Sequence, residues 1–176
     1  MAEKEILGKD LMLFKKNTQG NYVAWGAATS HSIQITTSMQ NISHKDTGKW
    51  GNSKPSVYSW TMSSENIFII KEEDSPNDDD VSDYNDLLEM MITEQQLSVS
   101  FDLVANPSDG GKPAGGWLPS GKGWEGDVYI TDVSANAPYE GVATYSIQFT
   151  GTGPLKREAP TKNEKKKKVR EDIIYP

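Results

Sequence analysis

The chain has 176 residues and a mass of 19.5 kDa, a length suited to one domain with a core of its own. Hydrophobic residues make up 35%, below the roughly 45–50% usual in globular domains, and there is no cysteine, which excludes disulfides, thiolate nucleophiles and cysteine zinc sites. The net charge of −7 divides into −11 over residues 1–155 and +4 over residues 156–176, and a body that repels phosphate argues against ordinary DNA binding.

Period-two alternation, the mark of half-buried strands, dominates from the start of the chain. Residues 11–15 and 22–25 read as short strands, and Ile33 and Ile35 alternate with Ser32, Gln34 and Thr36. Residues 43–56 hold no strand-length apolar run and carry glycine at 48 and 51, so a long hairpin or loop projecting between two strands is expected there. Tyr58, Trp60 and Met62 then alternate with Ser59, Thr61 and Ser63. Residues 71–80 form an acidic, proline-interrupted linker.

The next segment changes period. Tyr84, Leu87, Leu88, Met91 and Ile92 recur at helical spacing, which predicts one amphipathic helix over 83–93, with Ser82 or Asp83 as its cap. Val99, Phe101 and Leu103 alternate with Ser98, Ser100 and Asp102. Residues 104–123, with six glycines and three prolines, read as a long irregular loop. Strands follow over 127–133 and 143–150, where Ala143, Tyr145, Ile147 and Phe149 alternate with hydroxyl and amide side chains. The fold class expected is mainly β: a sandwich or barrel of about seven or eight antiparallel strands with one packed helix. A β-rich body over 1–155 and a charged tail over 156–176 complete the organisation.

Candidate chemistry is sparse. The acidic run from Glu72 to Asp80 lacks the alternating ligands and central glycine of a calcium loop and reads as a solvated linker. His31 and His44 have no second histidine at ligand spacing, and no nucleophile-elbow motif surrounds Ser30 or Ser32. Gly121-Lys122-Gly123 lacks the upstream glycine and the following Ser/Thr of a phosphate loop. Among the tryptophans, Trp60 lies on an apolar strand face, while Trp50 and Trp117 sit in polar loops, as interface aromatics do. No catalytic set, metal site or cofactor site is expected. No apolar run nears the 18–20 residues or so of a membrane span, and MAEKEILGKD has no signal-peptide pattern, so a soluble protein made in a cytoplasm is expected.

Four stretches in order carry a resemblance: GKDLMLF at 8–14 with AATSHS at 27–32; NISHKDTGKW at 41–50 with YSW at 58–60; the helix at 84–92; and ATYSIQFTGTGPL at 143–155. Together they resemble the major tail tube proteins of long, non-contractile-tailed bacteriophages. The loop at 104–122 and the tail from 156 depart from that pattern. The resemblance implies a virion protein, synthesised in the host bacterial cytoplasm, whose β-sandwich subunits form six-membered rings stacked into a hollow, acidic-walled tube.

Its implied partners are further copies of itself, the tail terminator, tape measure and distal tail proteins, and double-stranded DNA in transit without sequence-specific binding, with no membrane. Lys45, Asp46, Lys49 and Trp50 are the expected ring-to-ring contact. Strand alternation nominates Ser98, Ser100 and Asp102 for the lumen. The competing readings are a tube subunit of a contractile tail or related injection machine, and a monomeric carbohydrate-binding or adhesion module built on Trp50, Trp117 and Trp124.

Overall fold

The computed structural model describes residues 5–25, 28–69 and 84–157. The alternating segments fold as strands β1 (Leu11–Lys16), β2 (Tyr22–Ala24), β3 (Ala28–Asn41), β4 (Ser53–Ile67), β5 (Leu97–Leu103), β6 (Trp124–Asn136) and β7 (Thr144–Arg157). Helix α1 (Tyr84–Ile92) lies between β4 and β5. The strands form one antiparallel sheet in the order β2-β1-β5-β6-β7-β4-β3. The expected mainly-β architecture with a single packed helix is therefore present among the described residues, built as one curled sheet. The proposed caps Ser82 and Asp83, the acidic linker and residues 158–176 lie outside the described residues.

The core gathers on the inner face of the curl. On β7, Tyr145, Ile147 and Phe149 are buried while Gln148 and Thr150 are exposed, and Trp60, Met62, Val99, Val128 and Ile130 join them from β4, β5 and β6. Leu87 of α1 is fully buried, and the Tyr84 ring sits 5.1 Å from Phe68 and 5.9 Å from Tyr145. The helix stops where Glu94 turns left-handed (φ 54°). There the Gln95 N–H donates to the Met90 carbonyl and the Glu94 N–H to the Met91 carbonyl, closing the last turn.

Curling brings β1 onto β3, although four strands separate them in the sheet. The Leu13 N–H donates to Nδ1 of His31 at 3.4 Å across this seam. An imidazole that accepts there is neutral, and burial pushes its pKa down to about 4, opposed by the backbone carbonyl of Leu11. Unfolding restores an ordinary histidine pKa near 6.5, so the unfolded chain binds the extra proton between the two values. The contribution is intact above about pH 6.5 and falls by about 3 kcal/mol as the pH drops to about 4. Urea unfolding from pH 7.5 to 4.5 should show this slope in the parent and lose that part of it in His31→Gln. Parallel profiles would remove His31 from the seam.

Candidate functional site

The largest departure from the expected strand lengths lies in the β3–β4 hairpin. Residues 43–56 were expected to be a projecting hairpin or loop, and the ladder runs from Ala28↔Asn66 out to Asn41↔Ser53, leaving only 42–52 as the turn. β7 pairs with β4 only from Thr61 to Ile67. The outer half of the hairpin is thus a two-stranded ribbon standing free of the body. Its residues have no buried face, so no apolar alternation marks them in the sequence. Pro55 is tolerated within β4 because the strand has no β7 neighbour at that point.

This ribbon is apolar for something so exposed. Ile35 is 54% exposed, Met39 58%, Val57 66%, Tyr58 67% and Trp50 86%. Two-stranded ribbons are marginal in water, and contiguous apolar surface of this kind marks an interaction site. The tip is organised by short polar side chains. The His44 N–H donates to Thr47 Oγ1 at 2.8 Å, the Asn52 N–H to Ser43 Oγ at 2.8 Å and the Ser43 N–H to Asn41 Oδ1 at 2.7 Å. Gly48 supplies the left-handed residue at φ 72°. Lys45, Asp46, Lys49 and Trp50 are all exposed on this one tip.

Trp60 holds the root of the ribbon. Its indole Nε1 donates to the Gly153 carbonyl at 3.1 Å, and the ring lies against backbone at two glycines. A Cβ at Gly151 would fall 2.0 Å from the ring, and one at Gly126 would fall 2.5 Å from it. The two glycines on β6 and β7 form a trough that only a bare backbone can supply.

The outer face of β3, β4, β7 and β6 is a field of hydroxyls. Cross-strand pairs join Ser32 to Ser63 (2.7 Å), Thr36 to Ser59 (2.7 Å), Thr131 to Thr150 (3.0 Å) and Ser134 to Ser146 (2.7 Å). Glu65 and Asp132 lie on the same face by register, opposite Ser146 and Gln148 respectively.

The nominated lumen residues require correction. Ser100 and Asp102 are buried, 0% and 1% exposed, and Ser98 is half-buried with its hydroxyl donating to Asp127 Oδ1 at 2.6 Å. Alternation assigned them to a common face but carried no information about what covers it. Over Asp102 the cover is the 104–123 loop. The Asp102 carboxylate accepts the Leu103 N–H (2.6 Å), the Ser120 hydroxyl (2.7 Å), the Gly121 N–H (2.7 Å) and the Lys122 N–H (3.3 Å). Asn106 clasps the loop from within, donating to the Gly116 carbonyl and accepting from the Leu118 N–H, each at 2.9 Å. An exposed ion pair from Lys9 to Asp109 ties its outer part to the start of the chain. The signal for this latch is a lone carboxylate at the end of a strand entering a glycine-rich segment.

Among the described residues no cluster of His, Asp or Glu is placed to hold a metal, and no helix is long and apolar enough to cross a membrane. His31 belongs to the β1–β3 seam and His44 to the hairpin tip.

Residues 5–157 match the family described as phage tail tube protein. The chain belongs to that family. It is accordingly a structural component of a bacteriophage tail, part of the virion. Solved structures agree in fold. The tail of an empty gene transfer agent particle, refined with helical and C6 symmetry, superposes with a TM-score of 0.63 at 16% identity, covering 88% of this chain and 100% of that one. The SPP1 tail tube gives 0.60 at 12% identity, covering 92% and 84%. The sheath–tube complex of an extracellular contractile injection system gives 0.52 at 12% identity, covering 90% and 94%. No curated protein matches the chain in sequence. Tail tube structures of this kind are assemblies of many subunits, and self-assembly is the common property.

Proposed function

We propose that this tail tube protein forms six-membered rings that stack into a hollow conduit for double-stranded DNA, in a long non-contractile tail. The observation that carries the reading is the unsatisfied edge of the sheet: β3 offers 14 residues with pairing on one side only, continuous with an exposed apolar ribbon. An open edge of that length invites another chain, and a closed ring removes it. The C6 symmetry of the gene transfer agent tail supports six as the ring number.

In this reading the hydroxyl face of β3, β4, β7 and β6 replaces Ser98, Ser100 and Asp102 as the lumen wall. Its central part offers Glu65 and Asp132, within a body of net charge −11. Such a wall repels phosphate and lets DNA slide. The tail terminator, tape measure and distal tail proteins are the further partners, and no catalysis or membrane contact is involved.

Negative-stain microscopy and light scattering of the concentrated protein test this directly, with hollow rings or tubes and six-fold end views as the expected result. Lys45, Asp46, Lys49 and Trp50 are the proposed ring-to-ring contact. Deletion of 44–52, or Trp50→Ala, should leave folded subunits that fail to elongate. Normal tube length in either variant would take the tip out of stacking.

A further inference from the structure

We propose that the hairpin tip of one copy seats on the opposite pole of the next copy, at the β6–β7 turn; this inference rests on the tube reading above. The register defines the two poles. β3 and β4 close at Asn41↔Ser53, whereas β6 and β7 close at Asn136↔Thr144, and Thr144 pairs with Ile67 at the far end of β4. Tip and turn therefore lie at opposite ends of the same four strands, a distance of roughly 45 Å for the 15 residues of β4.

Each pole carries an aromatic with nothing against it. Trp50 is 86% exposed on the tip, while Tyr139 is 101% and Val142 64% exposed on the turn. The charges are complementary. The tip strand ends present Lys45, Lys49 and Lys54 against one acid, Asp46, whereas residues 130–146 around the turn hold Asp132 and Glu140 and no Lys or Arg. A contact between two different patches does not close on itself after one pair; it propagates along a line, which is what a stack of rings needs. Two tips meeting each other would instead oppose like charges and stop at a pair of rings.

The chain has no native cysteine, so introduced ones report cleanly. Gly51→Cys places a thiol beside Trp50 where a Cβ meets nothing closer than Ser43 Oγ at 3.7 Å. Glu140→Cys places one beside Tyr139. A short bis-maleimide linker added to assembled tubes of the double variant should give a denaturant-resistant ladder of many subunits, and either single variant should give none. Tubes of the double variant that yield no ladder, or dimers from Gly51→Cys alone, would overturn the contact while leaving the tube reading standing. Absence of rings and tubes from the unmodified chain would overturn both. Independently of the cysteines, Lys49→Glu should slow elongation about tenfold, and Glu140→Lys in the same chain should restore it. Restoration failing in a folded double variant would count against the pairing of these poles.

Discussion

Gly151→Ala should cost the protein about 2–3 kcal/mol, an unusual penalty for adding one methyl group to a strand. An added Cβ would stand 2.0 Å from Cε2 and 2.2 Å from Cδ2 of Trp60, a ring that is 4% exposed and too rigid to bend aside. The φ of Gly151 is not in the left-handed region, so the requirement is space alone. A double-mutant cycle separates this from any general intolerance of the strand. Trp60→Ala should itself cost about 3–5 kcal/mol by opening the core. In that background Gly151→Ala should cost less than about 0.5 kcal/mol, because the methyl then has somewhere to go. Urea midpoints of the four proteins give the answer. Equal penalties in both backgrounds would show that the trough does not set the position of the indole. Since Trp60 anchors β4 where the ribbon leaves the body, a loose ring should also degrade assembly before it abolishes folding.

Asp102→Ala should release the 104–123 loop without unfolding the sheet. Removing the carboxylate strands the Ser120 hydroxyl and the N–H groups of Leu103, Gly121 and Lys122, each bonded to it at 2.6–3.3 Å. The local cost is about 3 kcal/mol, or about a hundredfold in the population of the open loop. Trypsin cleavage after Lys112 and Lys122 should accelerate by that order, while the global unfolding midpoint moves far less, because the loop opens into water. Asp102→Asn keeps one acceptor oxygen and should fall between the two. Unchanged cleavage in Asp102→Ala would mean that Asn106 and the Lys9–Asp109 pair hold the loop unaided.

What could be read in advance divides along a physical line. β7, the Trp60–Ser63 part of β4 and the helix were legible because each has one face in the core, and one-sided burial writes its period into the chain. The outer hairpin was illegible for the opposite reason. From Thr36 to Asn41 and from Ser53 to Ser59 both faces meet water, so nothing constrains the alternation, and a strand there resembles a loop. Asp102 failed differently: its face was assigned correctly, but a cover drawn from residues 18–20 positions downstream is a tertiary fact. The tip residues Lys45, Asp46, Lys49 and Trp50 were located as a group, since a glycine-flanked polar segment with a lone tryptophan needs no long-range information to be recognised as a turn.

The paired hydroxyls on the outer sheet face have a consequence for friction. A serine or threonine whose proton is already directed at the hydroxyl across the strand has that proton no longer to give. Ser32 with Ser63, Thr36 with Ser59, Thr131 with Thr150 and Ser134 with Ser146 thus each withhold one of their two protons from anything passing outside. A polyanion grips a surface through donors and cations. In the proposed tube, a polyanion moving along this face would find half the hydroxyl donors that unpaired side chains would offer.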